Sequence, residues 1–477
     1  METNDLRDWL AEVEKMGELQ RVDEADWDLE VGALTALNGH RPNGPALLFD
    51  NIAGYPRGYR VLSGSTATRT RLELTFNLPP NSSNAELVQT WREKMADWES
   101  RLDEYPYEEV DSGPILENVH SGKDINLFEF PVPRWHELDG GRYIGTGDAV
   151  ITRDPDTGEV NLGTYRIMIQ DEKTTALYIS PGKHGRIHYE KWHAQGKPCP
   201  VAISVGHHPL IFRVAGTEVP AGSEYSYMGA VNGKPIKIIK EEITGLPIPA
   251  DSEIVIAGFC PPGKTRMEGP FGEWTGYYAS KEREAPILEV ERVYHRNDPI
   301  LLGHPPHRPP NEGTLFNTSK AAALLHNALE RSSVPDVRGV WVSEVGVQQL
   351  IVVSIKQRYP GHARQAGFLA SQNRPAAYHG RYVIVVDEDI DPNDIQQVLW
   401  ALCTRSDPAT DIDIIRRAWS TPLDTMIRKP ADGYFNSRAI IDACKPYEWI
   451  DEFPKEVTIS PELTEKMRNK WGDLLKL

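Results

Sequence analysis

A proline-rich segment at residues 304–310 limits most strongly how this chain can fold. The segment reads His-Pro-Pro-His-Arg-Pro-Pro. Proline lacks an amide donor and fixes its φ angle, so this segment can be neither a helix interior nor a central strand. The chain has 477 residues, more than one compact core normally holds. The sequence therefore predicts several domains, with one boundary near Pro310.

The residues on the two sides of this boundary follow different patterns. Short β-type runs broken by Gly, Pro and Asp begin at about Asn118 and are typical of a barrel or sandwich; they lie at 149–152, 165–169, 202–205 and 253–257. Helices alternate with strands after Pro310, which predicts an α/β domain. The predicted helices there cover 319–330, 392–402 and 461–477, and the predicted strands cover 349–354 and 382–386.

The pattern of the first hundred or so residues predicts a small α/β unit. Apolar residues recur at helical spacing over 5–16 and 86–102, and a short apolar run at 45–49 follows a turn, as a buried strand would. We therefore divide the chain into residues 1–117, 118–310 and 311–477.

Composition excludes several classes of protein. The formal charge of −17 and the pI near 5.4 oppose binding to nucleic acid or to an anionic membrane, and no run of Lys and Arg offsets them. No apolar run approaches the length of a membrane span, and the acidic N-terminus is unlike a secretory signal. The four cysteines form no CxxC pair, which argues against a disulfide framework and a thiolate zinc site. We expect a soluble cytoplasmic protein.

The segment 268–278 carries the strongest chemical signal. Glu268 and Glu273 flank a Gly-Pro-Phe-Gly turn, in which Pro270 fixes one φ angle while Gly269 and Gly272 can adopt conformations closed to other residues. Aromatic residues lie among them at Phe271, Trp274, Tyr277 and Tyr278. A shared, partly apolar pocket would separate the pKa values of the two carboxyls, leaving one ionised and one protonated. The alternative is a surface turn whose glutamates face water.

Further candidates precede this segment. Asn161, His184 and Glu224 together suit a hard or borderline divalent ion such as Mn²⁺ or Mg²⁺, with open positions for water or phosphate. Alternatively, His184 is an ordinary histidine like its neighbours His188 and His193, and Asn161 is a turn residue.

Arg166 lies within an apolar strand-like run. If it is buried, its charge needs a partner, for which Glu268 or Glu273 is the natural candidate; the alternative is an outward-facing position. The chain has neither a GxGxxG motif opening a helix nor a GxxxxGK[ST] motif, so Rossmann-type NAD enzymes and P-loop NTPases find no support.

Taken together, these motifs resemble the UbiD family of decarboxylases, which use prenylated FMN. The resemblance rests on Glu-Gly-Pro-Phe-Gly-Glu followed by Trp-Thr-Gly-Tyr at 268–277, on residues 161–166, on His184, on Ser223-Glu224 and on residues 381–391. It implies a mixed α/β multidomain protein with an N-terminal α/β unit, a middle split β-barrel that binds flavin and metal, and a C-terminal α/β oligomerisation domain with a terminal helix.

The resemblance also implies roles for individual residues. Asn161, His184 and Glu224 would hold a Mn²⁺ ion that bridges the cofactor phosphate to the protein, with K⁺ nearby. Arg166, Glu268 and Glu273 would form the catalytic network. The implied cofactor-binding residues are Thr146, Thr164, Arg166, Lys183, His184 and Arg374. Residues 162–165 and 214–217 depart from patterns common in the family, which puts the K⁺ contacts in question and favours a substrate other than cinnamate.

The implied reaction is the reversible, non-oxidative decarboxylation of an aromatic, heteroaromatic or α,β-unsaturated carboxylic acid through a covalent adduct with the cofactor. Glu273 would donate the proton that replaces CO₂, Arg166 would orient the carboxylates and Glu268 would tune the network. A flavin prenyltransferase would supply the cofactor, and the C-terminal domain would form a homodimer or higher homo-oligomer.

Three residues near the domain boundary bear on the substrate. His304, His307 and Arg308 would suit a phenolic hydroxyl or a ring nitrogen, which favours a hydroxybenzoate or a polycyclic heteroaromatic acid. The alternative is that they form a polar interdomain hinge.

Two other functions are open to these residues. A retaining glycoside hydrolase would use Glu268 and Glu273 with their carboxyls about 5–5.5 Å apart. A non-catalytic subunit of a carboxylase complex would keep the fold and bind no cofactor.

Overall fold

The fold is that of a computed structural model, which describes residues 3–279, 281–376, 379–427 and 433–475. Four β-sheets organise these described residues. Short 3₁₀ turns connect some of the longer elements; they lie at Leu102–Glu104, Pro114–Glu117, Gly122–Asp124, Leu127–Glu129, Arg374–Ala376 and Tyr447–Trp449. Among the helices that the structure describes, none combines the length and the apolar character that a membrane span requires.

The N-terminal part is a small α/β unit. Its elements are α1 (Leu6–Lys15), β1 (Leu19–Asp23), α2 (Glu30–Gly39), β2 (Ala46–Asp50), β3 (Arg60–Ser63), α3 (Arg69–Thr75) and α4 (Asn84–Ser100). The buried face of α1 is the apolar stripe of the sequence. Helix α4 begins at a capping box in which Ser83 and Glu86 satisfy each other's backbone amides.

The middle part is rich in strands. Its elements are β4 (Glu108–Glu109), β5 (Asn118–Ser121), β6 (Tyr143–Gly145), β7 (Asp148–Arg153), β8 (Val160–Gly163), β9 (Ile167–Asp171), β10 (Thr174–Leu177), α5 (His184–Ala194), β11 (Cys199–Val205), α6 (Pro209–Ala215), α7 (Glu224–Asn232), β12 (Lys237–Lys240), β13 (Pro247–Pro249), β14 (Ile254–Cys260), β15 (Thr265–Glu268), β16 (Arg283–His295) and β17 (Ile300–Gly303).

A ten-stranded sheet dominates this part. Eight of its strands follow the order β6-β9-β10-β16-β14-β11-β7-β8, and β5 and β15 also pair with the long β16. Strands β8 and β9 lie near opposite ends of this order, yet only residues 164–166 join them. The two ends of the sheet must therefore meet, and the sheet curls into a half-barrel. The predicted barrel-type middle domain is confirmed.

The last strand of this part belongs to another sheet. Strand β17 pairs in parallel with β3, so that Leu301 faces Val61, and it completes the N-terminal sheet β1-β2-β3-β17. The proline-rich segment follows β17 directly and contains neither helix nor strand, as predicted. A third, small sheet has the order β13-β12-β4.

The C-terminal part alternates helices and strands, which confirms the predicted α/β fold. Its elements are α8 (Thr314–Arg331), β18 (Val337–Val342), β19 (Leu350–Ile355), α9 (His362–Gln372), β20 (Tyr382–Asp387), α10 (Ile395–Arg405), β21 (Ile412–Trp419), β22 (Phe435–Asp442) and α11 (Pro461–Leu475). The sheet order is β18-β19-β20-β22-β21, with a parallel centre and antiparallel edges. The predicted final helix corresponds to α11, and Lys476 and Leu477 lie outside the described residues.

Helices α4 and α8 join the N-terminal and C-terminal parts. The Trp91 Nε1–H group donates to Ser319 Oγ over 3.0 Å, and Phe76 stacks on Phe316 with ring centroids 5.3 Å apart. All four residues are buried. Phe76, Trp91 and Phe316 belong to one apolar cluster, and Ser319 is bonded to it through Trp91. The N-terminal and C-terminal parts of the chain therefore share one apolar core with the middle part.

Candidate active site

The segment 268–278 forms a shaped loop after β15. Gly269 has a φ angle of 94° and Gly276 one of 80°, values that other residues rarely adopt. Gly272, for which the same freedom was predicted, does not use it; its position instead brings the loop close to Pro306. The amide of Glu273 donates to the Tyr277 carbonyl over 3.0 Å, and this bond closes the turn that carries the second glutamate.

Arg166 joins the two glutamates. Its Nη2 donates to Glu268 Oε2 over 2.8 Å, and its Nη1 donates to Glu273 Oε1 over 2.9 Å. Arg166 stands at the end of the short connection between β8 and β9, where the curled sheet closes. The closure of the sheet therefore brings residues a hundred positions apart into one ion-paired network.

The two carboxyls have different surroundings. The Glu268 side chain is 0% exposed and its second oxygen, Oε1, accepts the Tyr143 hydroxyl over 3.0 Å, whereas the Glu273 side chain is 17% exposed. Burial, followed by the nearby Glu268 charge, raises the pKa of Tyr143 well above its usual value. Tyr143 therefore remains a hydrogen-bond donor, and Glu268 is fixed from both sides while Glu273 is the more accessible carboxyl.

Aromatic rings enclose the guanidinium. Phe271 stacks on Tyr143 with ring centroids 4.0 Å apart, and Arg166 lies over the rings of Tyr178 and Phe271 at 5.4 and 5.9 Å. Burial lowers the pKa of Arg166, but the charges and hydrogen bonds of Glu268 and Glu273 raise it by more. The guanidinium therefore stays charged in this partly apolar setting.

The other aromatic residues of the motif lie elsewhere. Tyr277 and Tyr278 are exposed, so the predicted pocket does not include them. Trp274 packs edge-on against His379 of the C-terminal part, with ring centroids 4.8 Å apart. The loop thus faces Arg166 on one side and the C-terminal part on the other.

Asn161 and Glu224, two of the predicted metal ligands, lie close to Tyr165. The Tyr165 ring is beside the Asn161 side chain and the Gly185 backbone, and the Leu162 amide is beside the Glu224 carboxyl. Asn161 Nδ2 and Glu224 Oε2 are both buried and have no hydrogen-bond partner among the described residues. Burial raises the pKa of Glu224 to about 7.

These two orphaned groups fit a metal ion. A buried carboxylate oxygen without a donor is costly unless a cation faces it. Rotation of the Asn161 amide exchanges its oxygen and nitrogen, so that the oxygen can point to the same place. The arrangement is an oxygen-rich donor set for a hard or borderline divalent ion.

His184 and Lys183 are placed differently. Both are exposed where α5 begins, and no hydrogen bond links His184 to Asn161 or Glu224 in the described part of the chain. The neighbouring Gly185 is nevertheless close to Tyr165, since a Cβ atom there would lie 2.9 Å from the Tyr165 hydroxyl. The nearby His188 is a structural histidine, which bonds Thr152 Oγ1 over 3.0 Å.

Two of the predicted cofactor-binding residues line the closure of the sheet. Thr146 follows β6, and because Gly145 pairs with Ile167 in antiparallel register it stands beside Arg166. Its hydroxyl accepts the His304 amide over 2.9 Å. Thr164 Oγ1 is 3.5 Å from the Phe212 carbonyl, in the middle of α6.

The remaining predicted cofactor-binding residue, Arg374, lies on the surface. It is largely exposed and pairs with Glu218 at 3.2 Å, so it contacts the loop that precedes Glu224. A surface ion pair of this kind contributes little to stability.

Two further cations near this loop, Lys320 and Arg213, were not among the predicted site residues. Burial and the charges of Arg213 and Lys183 lower the pKa of Lys320 to about 8, although Glu218 opposes them. Lys320 Nζ lies 3.1 Å from Thr217 Oγ1, and burial lowers the pKa of Arg213 to about 10. Arg213 carried a detectable signal, because like Arg166 it is a cation inside an apolar run. Lys320 had none, since its neighbours in space come from distant parts of the chain.

The three residues of the predicted substrate contact have separate roles. His304 packs on Phe212 with ring centroids 4.9 Å apart, and His307 packs edge-on against His40 at 5.3 Å. His307 also lines a cavity of about 200 Å³ that Arg166, Glu268 and Glu273 do not line. The Arg308 side chain is exposed, and its carbonyl accepts His40 Nε2 over 2.7 Å.

Comparisons with known proteins cover the whole chain. Sequence models of the 3-octaprenyl-4-hydroxybenzoate carboxy-lyase match in three parts: the N-terminal domain at residues 10–91, the Rift-related domain at 108–309 and the C-terminal domain at 314–443. The phenolic acid decarboxylase of Sedimentibacter hydroxybenzoicus is 32% identical over 99% of this chain and 98% of its own length. The pyrrole-2-carboxylic acid decarboxylase of Pseudomonas aeruginosa is 34% identical over 85% of this chain and 84% of its own length.

Solved structures agree with the sequence matches. The UbiD-class enzyme HmfF from Pelotomaculum thermopropionicum in complex with FMN superposes with a TM-score of 0.84 at 29% identity, covering 97% of this chain and 98% of that one. An evolved dimeric form of the same enzyme in complex with prFMN gives a TM-score of 0.80 at 26% identity with the same coverage.

Proposed function

Since the chain belongs to the UbiD family of carboxy-lyases, we propose that it decarboxylates an aromatic or heteroaromatic carboxylic acid with prenylated FMN as its cofactor. The observation that carries the proposal is the bridge that Arg166 forms between the buried Glu268 and the more accessible Glu273. The named relatives act on phenolic and pyrrole carboxylic acids, which supports a substrate of this class. The complexes of HmfF with FMN and prFMN support the cofactor.

We assign the proton-donor role to Glu273. Both Glu268 oxygens are engaged, one by Arg166 and one by Tyr143, so this carboxyl is held in place. Glu273 also accepts a hydrogen bond from Arg166, and its side chain is 17% exposed, so it is the carboxyl that can reach a bound substrate. We therefore propose that Glu273 carries the proton that replaces CO₂.

The other residues of the site orient the substrate and enclose the network. Prenylated FMN, when bound, supplies the electron acceptor that side chains lack, so that the bond to CO₂ can break. Arg166 presents fixed donors beside Thr146 and can also attract the substrate carboxylate. Tyr178 and Phe271 lie at the guanidinium, and Tyr143 stacks on Phe271, so that the network lies in a partly apolar setting. Glu273 then delivers its proton to the carbon that has lost CO₂.

Asn161 and Glu224 would hold Mn²⁺ with His184 as a third ligand. Support comes from their orphaned buried atoms and from Gly185, which brings the first turn of α5 next to Tyr165. His184 would turn inward to complete this site. The cations Lys320 and Lys183, together with Thr164, would face the cofactor phosphate, and Arg374 and a K⁺ ion would lie further out.

The substrate assignment rests on the segment 304–310. The loop with Glu273 packs on it, since Gly272 contacts Pro306 and Gly276 contacts Arg308. The backbone amide of His304 donates to the Thr146 hydroxyl. The His304 side chain can accept a hydrogen bond from a ring hydroxyl or donate one to a ring nitrogen. We therefore propose hydroxybenzoates and nitrogen heteroaromatic acids as the first substrates, with a flavin prenyltransferase as the source of the cofactor.

The experiment is a decarboxylation assay on protein purified from cells that also express a flavin prenyltransferase. We expect CO₂ release from one or more hydroxybenzoic or pyrrole carboxylic acids. Glu273→Gln should retain the fold and the bound flavin but lose about 10²-fold to 10⁴-fold in turnover, because a general acid contributes that much. Glu284→Gln, an exposed glutamate at the start of β16, is the matched control and should retain turnover. Near-normal turnover of Glu273→Gln would remove Glu273 from the proposed role.

A further inference from the structure

A histidine and glutamate cluster lies on the opposite end of β16 from the candidate active site. One possible ligand atom each of His120, Glu129 and His295 lies within 4.8 Å of the others. Arg283, the first residue of β16, pairs with Glu268, whereas His295 is its last residue. Twelve residues of strand correspond to about 40 Å, so the cluster is independent of the Arg166 network.

Pairing within the sheet aligns the two histidines. Strand β5 runs antiparallel to β16, with His120 opposite Val293. His295 is two positions further along β16, so both imidazoles project from the same face of the sheet. Their ring centroids are 5.0 Å apart. Glu129, at the end of the 3₁₀ turn Leu127–Glu129, reaches this face, and its Oε1 lies 3.1 Å from His120 Nδ1.

His295 is oriented as a metal ligand would be. Its Nδ1 bonds the Arg296 carbonyl over 2.9 Å, which fixes the ring and leaves Nε2 with its lone pair. The residue is only 4% exposed, and Nε2 is buried without a hydrogen-bond partner in the described chain. A buried imidazole nitrogen with no partner calls for a ligand, because leaving it unsatisfied is costly.

We propose that His120, Glu129 and His295 form a second metal site, which binds Zn²⁺ through two histidines and one carboxylate. This donor set with a fourth position for water is common for zinc. Ligands in a tetrahedral zinc site stand about 3.3 Å apart, given bond lengths of about 2.1 Å. Small side-chain rotations close the present separations to that value, because His120 and Glu129 are partly exposed at 29% and 20%. Their exposure also gives the ion a route from solvent.

Binding would replace the direct contact between His120 Nδ1 and Glu129 Oε1, which are 3.1 Å apart, with bonds to the ion. The ion would tie β5, the turn at Leu127–Glu129 and the end of β16 together, and we expect it to stabilise this end of the sheet.

The test is a titration of the full-length protein with Zn²⁺ alone after removal of bound metal by a chelator. The background is Glu224→Gln, which removes the carboxylate of the proposed active-site metal. In this background we expect one tight zinc equivalent and a rise in melting temperature with zinc. Adding His120→Ala or Glu129→Gln should weaken zinc binding at least tenfold and abolish the rise. His193→Ala is the matched control, because His193 is a half-buried histidine bonded to the Cys260 carbonyl. We expect zinc binding to be unchanged in this variant.

Cobalt provides a second readout. Co²⁺ should give the intense visible bands of a tetrahedral site in the Glu224→Gln background and lose them in His120→Ala. Equal zinc stoichiometry and affinity with and without His120→Ala would overturn the proposal. So would zinc binding that is lost equally in His193→Ala. Both His120 and Glu129 are partly exposed, so these variants test the site without emptying the core.

Discussion

At the scale of single residues, the account depends on how one guanidinium serves two carboxylates. Arg166 offers its two terminal nitrogens to two different glutamates, in a fixed fork that only arginine has. Tyr143 completes the set by holding the second oxygen of Glu268. The different exposure of Glu268 and Glu273 then divides the roles between them.

Arg166→Lys keeps the positive charge but cannot bridge both glutamates. We expect kcat/KM to fall about 10²-fold or more, as when one positioned donor is lost from an active site. Arg283→Lys is a suitable control, because Arg283 also lies over the Tyr178 ring, at 4.2 Å, and does not join the two glutamates. Steady-state kinetics of both variants on the same acid decide the matter. Equal losses in the two would show that the loss does not come from the bridge between Glu268 and Glu273.

Sequence predicted part of this network. The 268–273 motif and the charge of Arg166 within an apolar run indicated that these residues belong together. Tyr143 had no such signal, since its place beside Glu268 depends on the pairing of β6 with β9. The exposure of His184 at the start of α5 also could not be predicted, because nothing in its spacing tells which way the helix turns. The catalytic and ligand roles themselves stay predictions.

At the scale of elements, the connection between β8 and β9 positions the site. It follows β8, which carries Asn161, it ends at Arg166, and it spans the closure of the half-barrel. Gly163 lets Tyr165 fold back over this connection, since a Cβ atom there would lie 2.2 Å from the Tyr165 hydroxyl. The helices and strands predicted from periodicity correspond to observed elements whose ends differ by up to about five residues, but other elements, among them α5 and α7, were not predicted. The strand order within the curled sheet was not predicted, because it depends on long-range pairing.

Gly163→Ala should therefore displace Tyr165 from Asn161. We expect a loss of about 1–3 kcal/mol in the free energy of unfolding, as overpacking in a buried site costs, together with lower flavin and metal content. Gly472→Ala in α11 meets no atom within 4 Å and should leave both quantities unchanged or slightly raise stability. Melting curves and the flavin-to-protein absorbance ratio provide the measurement. Full flavin content in Gly163→Ala would contradict the proposed role of this connection.

At the scale of the whole molecule, Glu312 joins all three parts of the chain. It accepts the Gly64 amide over 2.7 Å, it binds the Ser65 hydroxyl, and it pairs with Arg213 at 3.6 Å, just before α8. Burial opposes its ionisation, but His304, Arg213 and Ser65 together lower its pKa below the usual value.

The domain boundaries at 117 and 310 stay a prediction. Strand β17 complicates the second of them, because it crosses into the N-terminal sheet, and no local pattern could have shown this.

Glu312→Gln should lower the free energy of unfolding by about 3 kcal/mol at pH 7, as the breaking of a buried ion pair does. A carboxyl with a lowered pKa stabilises the fold above the pKa of the unfolded chain, about 4.3, and loses that contribution as the pH falls towards its folded value. The difference in unfolding midpoint between the parent protein and the variant should thus be largest at neutral pH and shrink below about pH 4.5. Tryptophan fluorescence in a urea series at several pH values measures it. A difference that grows on acidification would exclude this role for Glu312.

The central claim is that this chain is a decarboxylase that uses prenylated FMN. The most direct measurement is denaturing mass spectrometry, with a visible spectrum, of protein purified without oxygen from cells that express a flavin prenyltransferase and are supplied with manganese. We predict a released species with the mass of prenylated FMN, present in the parent protein and depleted in Glu224→Ala. Protein that carries no flavin under these conditions would contradict the account.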